Sequence, residues 1–364
     1  MDSERGGRTV NSNTYMDVLS KATYREFAFR AASVAEAVAW QQRFRPRLRQ
    51  LLGLDAIAEH AAQQPGARRL ASEQLSDHVR EEWVLETEAG YWVPFFYLRP
   101  LRVRGKIPLV VTPHGHNKRG KADYAGVYDS PEQQREAEAN DRDIALQAVR
   151  QGYAVVAPDM RGFSGLRRRE DIEKDANNSC RTLQMHALLF GRTLIGERVW
   201  DVMRLIDWAL GQPEVDGDKI AVTGNSGGGT VTLFAAAVDT RIRVAAVGSY
   251  FCTFTDSIGS VYHCECNYIP GLLRHAEMYD VAALIAPRPF MAVHGVEDRI
   301  YPISGTRFAF ERLREAYDVF GAAHRCRLSE GQGGHRYYSR DVWPFIAEQF
   351  GEAVGRKPAG DKSR

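Results

Sequence analysis

Few backbones accommodate the segment Lys219–Val238, KIAVTGNSGGGTVTLFAAAV. It opens as a short apolar run, breaks at a cluster of glycines around one serine, and resumes as an apolar stretch long enough for a helix. That is strand, tight turn, helix. A serine at such a turn is held in a strained backbone, with glycines flanking it where side chains would collide. Its oxygen stands clear of the sheet at the positive end of a helix. Gly224-Asn225-Ser226-Gly227-Gly228 is thus a G-x-S-x-G nucleophile elbow, and Ser226 is the candidate nucleophile.

The same alternation runs through most of the chain. Strand-like runs fall at Glu82–Glu86, Tyr91–Leu98, Ile107–Thr112, Ala154–Pro158, Ile220–Thr223, Val244–Gly248, Phe290–His294 and Arg325–Leu328. Helical patterns lie between them. The clearest is Glu197–Leu210, where Val199, Val202, Met203, Ile206 and Leu210 share one face. Two adjacent strands followed by strands that alternate with helices predict an α/β fold, a mostly parallel sheet with helices on both faces. Reactive residues then belong at the C-terminal ends of the strands. Upstream, Val34–Leu54 has helical spacing and is expected to pack on the main body. Residues 1–30 read as polar and loosely held, and 60–78 as a linker. The expected division is an N-terminal helical extension and linker (1–78), a main domain (79–354) and a polar tail (355–364).

Composition narrows the function. The chain has 364 residues, 44% hydrophobic and 26% charged, as in ordinary globular proteins. Its 48 basic and 46 acidic residues give a formal charge of +2, which offers nucleic acid no electrostatic footing. The basic runs Arg43–Arg49 and Arg167–Arg169 lack interleaved aromatics and read as solvated surface. No stretch reaches membrane-span length. The N-terminal MDSERGGRTVNSN lacks a secretory core, and five cysteines do not suggest a disulfide scaffold. A cytoplasmic protein with free thiols is the expectation.

A serine hydroxyl needs a neighbouring base. In hydrolases built on an elbow of this kind the chain order is Ser, acid, His. Downstream, PFMAVHGVEDRIYPI is a buried strand followed by a loop with Asp298, and HRCRLSEGQGGHRYY is a strand followed by a glycine-rich loop with His335. His335 is the expected base, because Gly331, Gly333 and Gly334 free its loop to reach the serine. Asp298 is preferred as the acid over Glu297, its neighbour, and over Asp256, for its spacing to Pro302. His294 reads as a packed strand residue. An oxyanion needs two N–H donors. Gly227 supplies one, and His116, in the Thr112-Pro113-His114-Gly115-His116 turn, is the best candidate for the other.

Two segments invite a metal reading, His114-Gly115-His116 and His263-Cys264-Glu265-Cys266. Each lacks further ligands close by in the sequence, so backbone, packing or pocket roles are expected and no metal or cofactor is required. The stretch Phe251–Tyr279, rich in Tyr, His and Cys, is expected to form one wall of the pocket, with His114, Tyr262, His263 and Tyr268 as lining residues.

At these residues the chain resembles the acetyl-xylan-esterase-like and dienelactone-hydrolase-like branch of the α/β-hydrolase fold. The resemblance covers roughly residues 80–350. It rests on PHGHNKRGK (113–121), DMRGFSG (159–165), GNSGGGT (224–230) and CNYIPGLLRHAEMYDVAALIAPRPF (266–290). The last stretch is similar to that of a group of bacterial hydrolases with an N-terminal helical extension. Ser226 stands where dienelactone hydrolases carry cysteine, Gly227 where the acetyl esterases usually carry Gln, and the Arg and Lys of the glucuronoyl-esterase elbow have no counterpart. The resemblance therefore implies ester hydrolysis through an acyl-enzyme, of a small-molecule ester such as an acylated sugar, without fixing which ester. The rival readings are a serine aminopeptidase or amidase, which would use the same triad, and a non-catalytic binding protein, which would be expected to lack a triad member. Dehalogenases and epoxide hydrolases need a carboxylate at the elbow.

Overall fold

The apolar runs at Leu109, Ala154, Ile220, Val244 and Phe290 are strands covered on both faces, and their side chains divide strictly by parity. Leu109, Val111, Ala154, Val156, Ile220, Val222, Ala245 and Val247 join one core. Val110, Val155, Ala157, Ala221, Val244 and Ala246 join the other. This is why the runs show no polar alternation: at these central strands neither face of the sheet meets water.

The computed structural model describes residues 15–351. Among them the strands are β1 (Ala67–Gln74), β2 (His78–Glu88), β3 (Tyr91–Pro100), β4 (Ile107–Val111), β5 (Ala154–Pro158), β6 (Val215–Asn225), β7 (Val244–Gly248), β8 (Phe290–Gly295) and β9 (Cys326–Gly331). They form one sheet in the order β1-β2-β3-β5-β4-β6-β7-β8-β9. The first three strands pair antiparallel, and β3 meets β5 antiparallel. From β5 through β9 every pairing is parallel. The sheet is thus mostly parallel, with helices on both faces. The larger core lies under the helices Val34–Leu52, Leu194–Leu210 and Gly227–Val238, and the smaller under Ile144–Arg150 and Val342–Gln349. No helix among the described residues is long and apolar enough to cross a membrane.

Several expectations need correction. Residues 67–74, inside the expected linker, form β1, paired with β2 from Ala67↔Leu85 to Gln74↔Val79. All eight residues of β1 are exposed, so no hydrophobic pattern marks it. Nor are residues 25–29 loose. Phe27 is buried and stacks on Phe44 at 4.8 Å, and its N–H donates to the His275 carbonyl at 2.7 Å. The polar stretch 1–14 and the tail 355–364 lie outside the described residues.

The Val34–Leu52 helix buries Phe44, Leu48 and Leu52 against the body. Within the basic run, Arg45 is not a solvated side chain. It donates to the carbonyls of Ala237 and Leu284 at 3.0 and 2.8 Å, at the C-terminal ends of two helices. In the Leu194–Leu210 helix Val199, Val202 and Ile206 are buried as expected, but Leu210 is 38% exposed at the helix end.

The Asp159–Gly165 motif has a packing role. Arg161 is buried and pairs with Asp201 at 2.7 Å and Glu88 at 2.7 Å, over the ring of Tyr91. Thr87 donates a further hydrogen bond to Asp201 at 2.7 Å. The network ties β2 and β3 to the loop after β5 and to the Leu194–Leu210 helix.

Candidate active site

Ser226 follows β6 directly and caps the Gly227–Val238 helix. Its backbone is strained, at φ 57° and ψ −118°, in a region that side chains other than glycine rarely enter. The Ser226 N–H donates to the Gly248 carbonyl at 2.8 Å. The flanking glycines are sterically required. A Cβ at Gly224 would stand 2.2 Å from the Pro113 carbonyl oxygen, and one at Gly228 would stand 2.0 Å from the same atom. The crossing of the Pro113–His116 loop over the elbow is what excludes side chains there.

Asp298 lies in the loop after β8 and His335 in the loop after β9, so both stand, like Ser226, at the C-terminal ends of parallel strands. Nδ1 of His335 donates to Asp298 Oδ2 at 2.7 Å. The other Asp298 oxygen accepts the N–H groups of Ile300 and Tyr301 at 2.8 and 3.1 Å. Burial by itself would raise the Asp298 carboxyl. The hydrogen bond and charge of His335, with the two backbone donors, outweigh it and hold the group below its ordinary range. Adjacent Glu297 is exposed, and only its backbone is used, its N–H donating to Gly333 O at 2.8 Å. Asp256 is exposed as well and accepts from Thr253 in a local turn at 2.6 Å. With Nδ1 engaged, His335 keeps Nε2 for the cleft.

Ser226 and His335 line one cleft of about 360 Å³, together with Gly115, His116, Arg142 and Asn225. Gly115 lies directly over the elbow: a Cβ there would stand 2.6 Å from the Asn225 carbonyl oxygen and 3.4 Å from the Gly227 nitrogen. Gly227 is the first residue of its helix, so its N–H has no intrahelical acceptor. Around such a serine an imidazole, a buried carboxylate and backbone donors can together support nucleophilic attack on a carbonyl.

The expected pocket residues are placed differently. His114 is 1% exposed and is not among the residues that line the cleft. Its Nδ1–H donates to the Gly115 carbonyl at 2.8 Å and its Nε2 accepts from Met160 N–H at 2.9 Å, so it shapes the loop instead of meeting a ligand. Burial pushes its ring down to about 4. Tyr262 is 88% exposed and Tyr268 lines a separate apolar pocket with Ile258 and Leu272. His263 is buried against Tyr301 at 5.1 Å, and burial lowers its pKa. Tyr301 in turn stacks on His335, with ring centroids 5.8 Å apart and planes inclined by 22°. Nothing in the sequence singled out Tyr301, because its spacing to His335 along the chain is uninformative. His294 is fully buried, as expected of a packed residue.

The two segments weighed for metal do not stay apart. His116 Nε2 lies 3.5 Å from Cys266 Sγ and 4.0 Å from Cys180 Sγ, and Cys264 Sγ lies 3.3 Å from Cys266 Sγ. The missing ligands come from distant positions, and His263, the histidine nearest in sequence, turns away to Tyr301.

The sequence model of the Abhydrolase family matches residues 1–337, a span that includes Ser226, Asp298 and His335. The chain belongs to the Abhydrolase family. That match begins well before residue 80, so this Abhydrolase family member shares its N-terminal portion with its family as well as its sheet. A relative, the provisionally named hydrolase YtaP of Bacillus subtilis (strain 168), is 27% identical over 284 residues, 74% of this chain and 89% of YtaP. Among solved structures, a provisionally named acetyl xylan esterase from Bacteroides fragilis superposes with a TM-score of 0.80 at 17% identity, covering 96% of this chain and 97% of that one. A glucuronoyl esterase from Solibacter usitatus gives 0.60 at 12% identity, covering 85% and 92%. At these identities the likeness is one of fold.

Proposed function

We propose that this Abhydrolase family member hydrolyses carboxylic esters through an acyl-enzyme on Ser226. His335 Nε2 takes the Ser226 proton as the oxygen attacks the ester carbonyl, and Asp298 orients the imidazole and stabilises its charged form. The N–H groups of Gly227 and His116 receive the oxyanion. His335 then returns the proton to the leaving alcohol and activates the water that releases the acid. The reading is carried by one observation. A serine held at φ 57° shares a cleft with a histidine whose other nitrogen is bonded to a buried carboxylate.

The cleft also bears on the substrate class. Arg142, Asn225, Asn117 and Asp123 line it, and the buried Asn225 Oδ1 has no protein partner. Such a lining suits an alcohol rich in hydroxyl groups, and we assign a small acyl group on a sugar. The B. fragilis structure is named as an acetyl xylan esterase, which supports the same class. The five unpaired cysteines support a reducing compartment, the cytoplasm.

The test is a panel of kcat/KM values on p-nitrophenyl acetate, butyrate and octanoate, acetylated xylo-oligosaccharides and an aminoacyl anilide. Acetyl esters are expected to lead, with the anilide turned over poorly. An anilide rate above the acetate rate would favour the amidase reading and contradict this one.

A further inference from the structure

We propose that His116, Cys180, Cys264 and Cys266 form a structural zinc site that pins the His116 loop beside Ser226. The four candidate ligand atoms all lie within 4.8 Å of one another. In a tetrahedral zinc site with Zn–S near 2.3 Å and Zn–N near 2.0 Å, the ligand atoms stand roughly 3.5–3.8 Å apart. Three of the six separations, 3.3, 3.5 and 4.0 Å, bracket that spacing, and the others stay within 4.8 Å. Three thiolates and one imidazole form a soft donor set that selects zinc over hard cations.

The surroundings supply a second, independent argument. Arg198 is 3% exposed, yet among the described residues it has no carboxylate partner. Its guanidinium bonds the Arg161 carbonyl, sits over the Phe163 ring, and points Nη2 at Cys180 Sγ at 3.2 Å. A buried cation needs a counter-charge. Protonated thiols would provide none, whereas zinc with three thiolates and a neutral imidazole carries one negative charge. Arg198 balances it and bonds a ligand sulfur, the usual outer partner of a metal ligand.

The site would join three distant segments: the loop after β4, the start of the Cys180–Leu189 helix, and the turn at 264–266. Four protein ligands complete the tetrahedron, leaving no open position for water or substrate. The ion is therefore structural, and the inference stands whether or not the ester-hydrolase reading does. Its consequence for the cleft is positional. On the far side of the His116 ring, Nδ1 faces Gly227, standing 3.1 Å from where a Cβ there would be.

The full-length protein, purified under reducing conditions without added chelator, is expected to hold about one zinc per chain by elemental mass spectrometry. Cys180→Ser and Cys266→Ser should each lose it, while Cys326→Ser, elsewhere in the fold, should keep it. Should the ligand variants not fold, wild type is read instead. Replacing zinc by cobalt should give thiolate-to-metal charge transfer and the intense d–d bands of a tetrahedral site, and stripping the metal should lower Tm. Reduced protein that neither contains zinc nor binds it in a calorimetric titration overturns the proposal. So does an intact mass two hydrogens low that maps to a Cys264–Cys266 disulfide in freshly purified protein.

Discussion

Nδ1 of His335 lies 2.7 Å from Oδ2 of Asp298, whose other oxygen is held by the N–H groups of Ile300 and Tyr301. The carboxylate is therefore fixed from both sides, and it fixes the imidazole. Asp298→Asn cannot stabilise an imidazolium and would favour the wrong tautomer, so kcat should fall by about 10⁴-fold. Glu297→Gln, at an exposed side chain, should change it little. Steady-state kinetics on p-nitrophenyl acetate checks both, and a reversal of the two effects would reassign the acid.

The same carboxylate makes a pH-dependent contribution to stability. Its pKa is depressed in the folded protein, against about 3.9 for an unperturbed aspartate. The stabilisation is thus fully present above the unfolded value and is lost as pH falls through the lowered folded value. Urea denaturation at neutral pH should show Asp298→Asn less stable than wild type, and the gap should narrow as the pH drops below about 4. A gap that widened on acidification would contradict the depressed pKa.

Gly228→Ala places a Cβ 2.0 Å from the Pro113 carbonyl oxygen, a backbone atom that moves only with its loop. We expect a loss of at least about 2 kcal/mol in stability, together with most turnover, since the displaced loop carries His116. Gly165→Ala meets nothing within 4 Å at an ordinary φ and should be neutral. Thermal denaturation of the two variants side by side is the measurement.

Arg161→Met would leave Asp201, fully buried, without its cation. Removing one partner of such a network costs about 3–5 kcal/mol, and Arg192, which also pairs with Glu88 at 2.6 Å, reaches only part of it. Chemical denaturation should show a loss in that range, and a change near zero would mean that the network is idle.

Legibility in the sequence followed burial and chain distance. Strands such as Val244–Gly248, buried at every position, announce themselves as short apolar runs. β1, exposed at every position and held only by its ladder to β2, leaves no mark in hydrophobicity. The elbow was readable because its glycines answer a local steric demand. Loop spacing singles out Asp298 from Glu297, but not the difference that separates them in the fold, where Asp298 is buried and Glu297 exposed. The His116–Cys180–Cys266 cluster was not readable, because its members are brought together by the folding of three segments far apart in the chain. His114 misleads for the opposite reason: it belongs to the same loop as His116, yet both its ring nitrogens are engaged by backbone groups.

The central claim is that Ser226 is the nucleophile. A fluorophosphonate probe on the folded protein, followed by peptide mass spectrometry, tests it directly. The account predicts a single covalent adduct on the peptide containing Ser226. It also predicts no adduct in Ser226→Ala, whose turnover should fall by on the order of 10³-fold or more while its Tm stays near wild type. An adduct on another residue, or labelling that persists in Ser226→Ala, would contradict it.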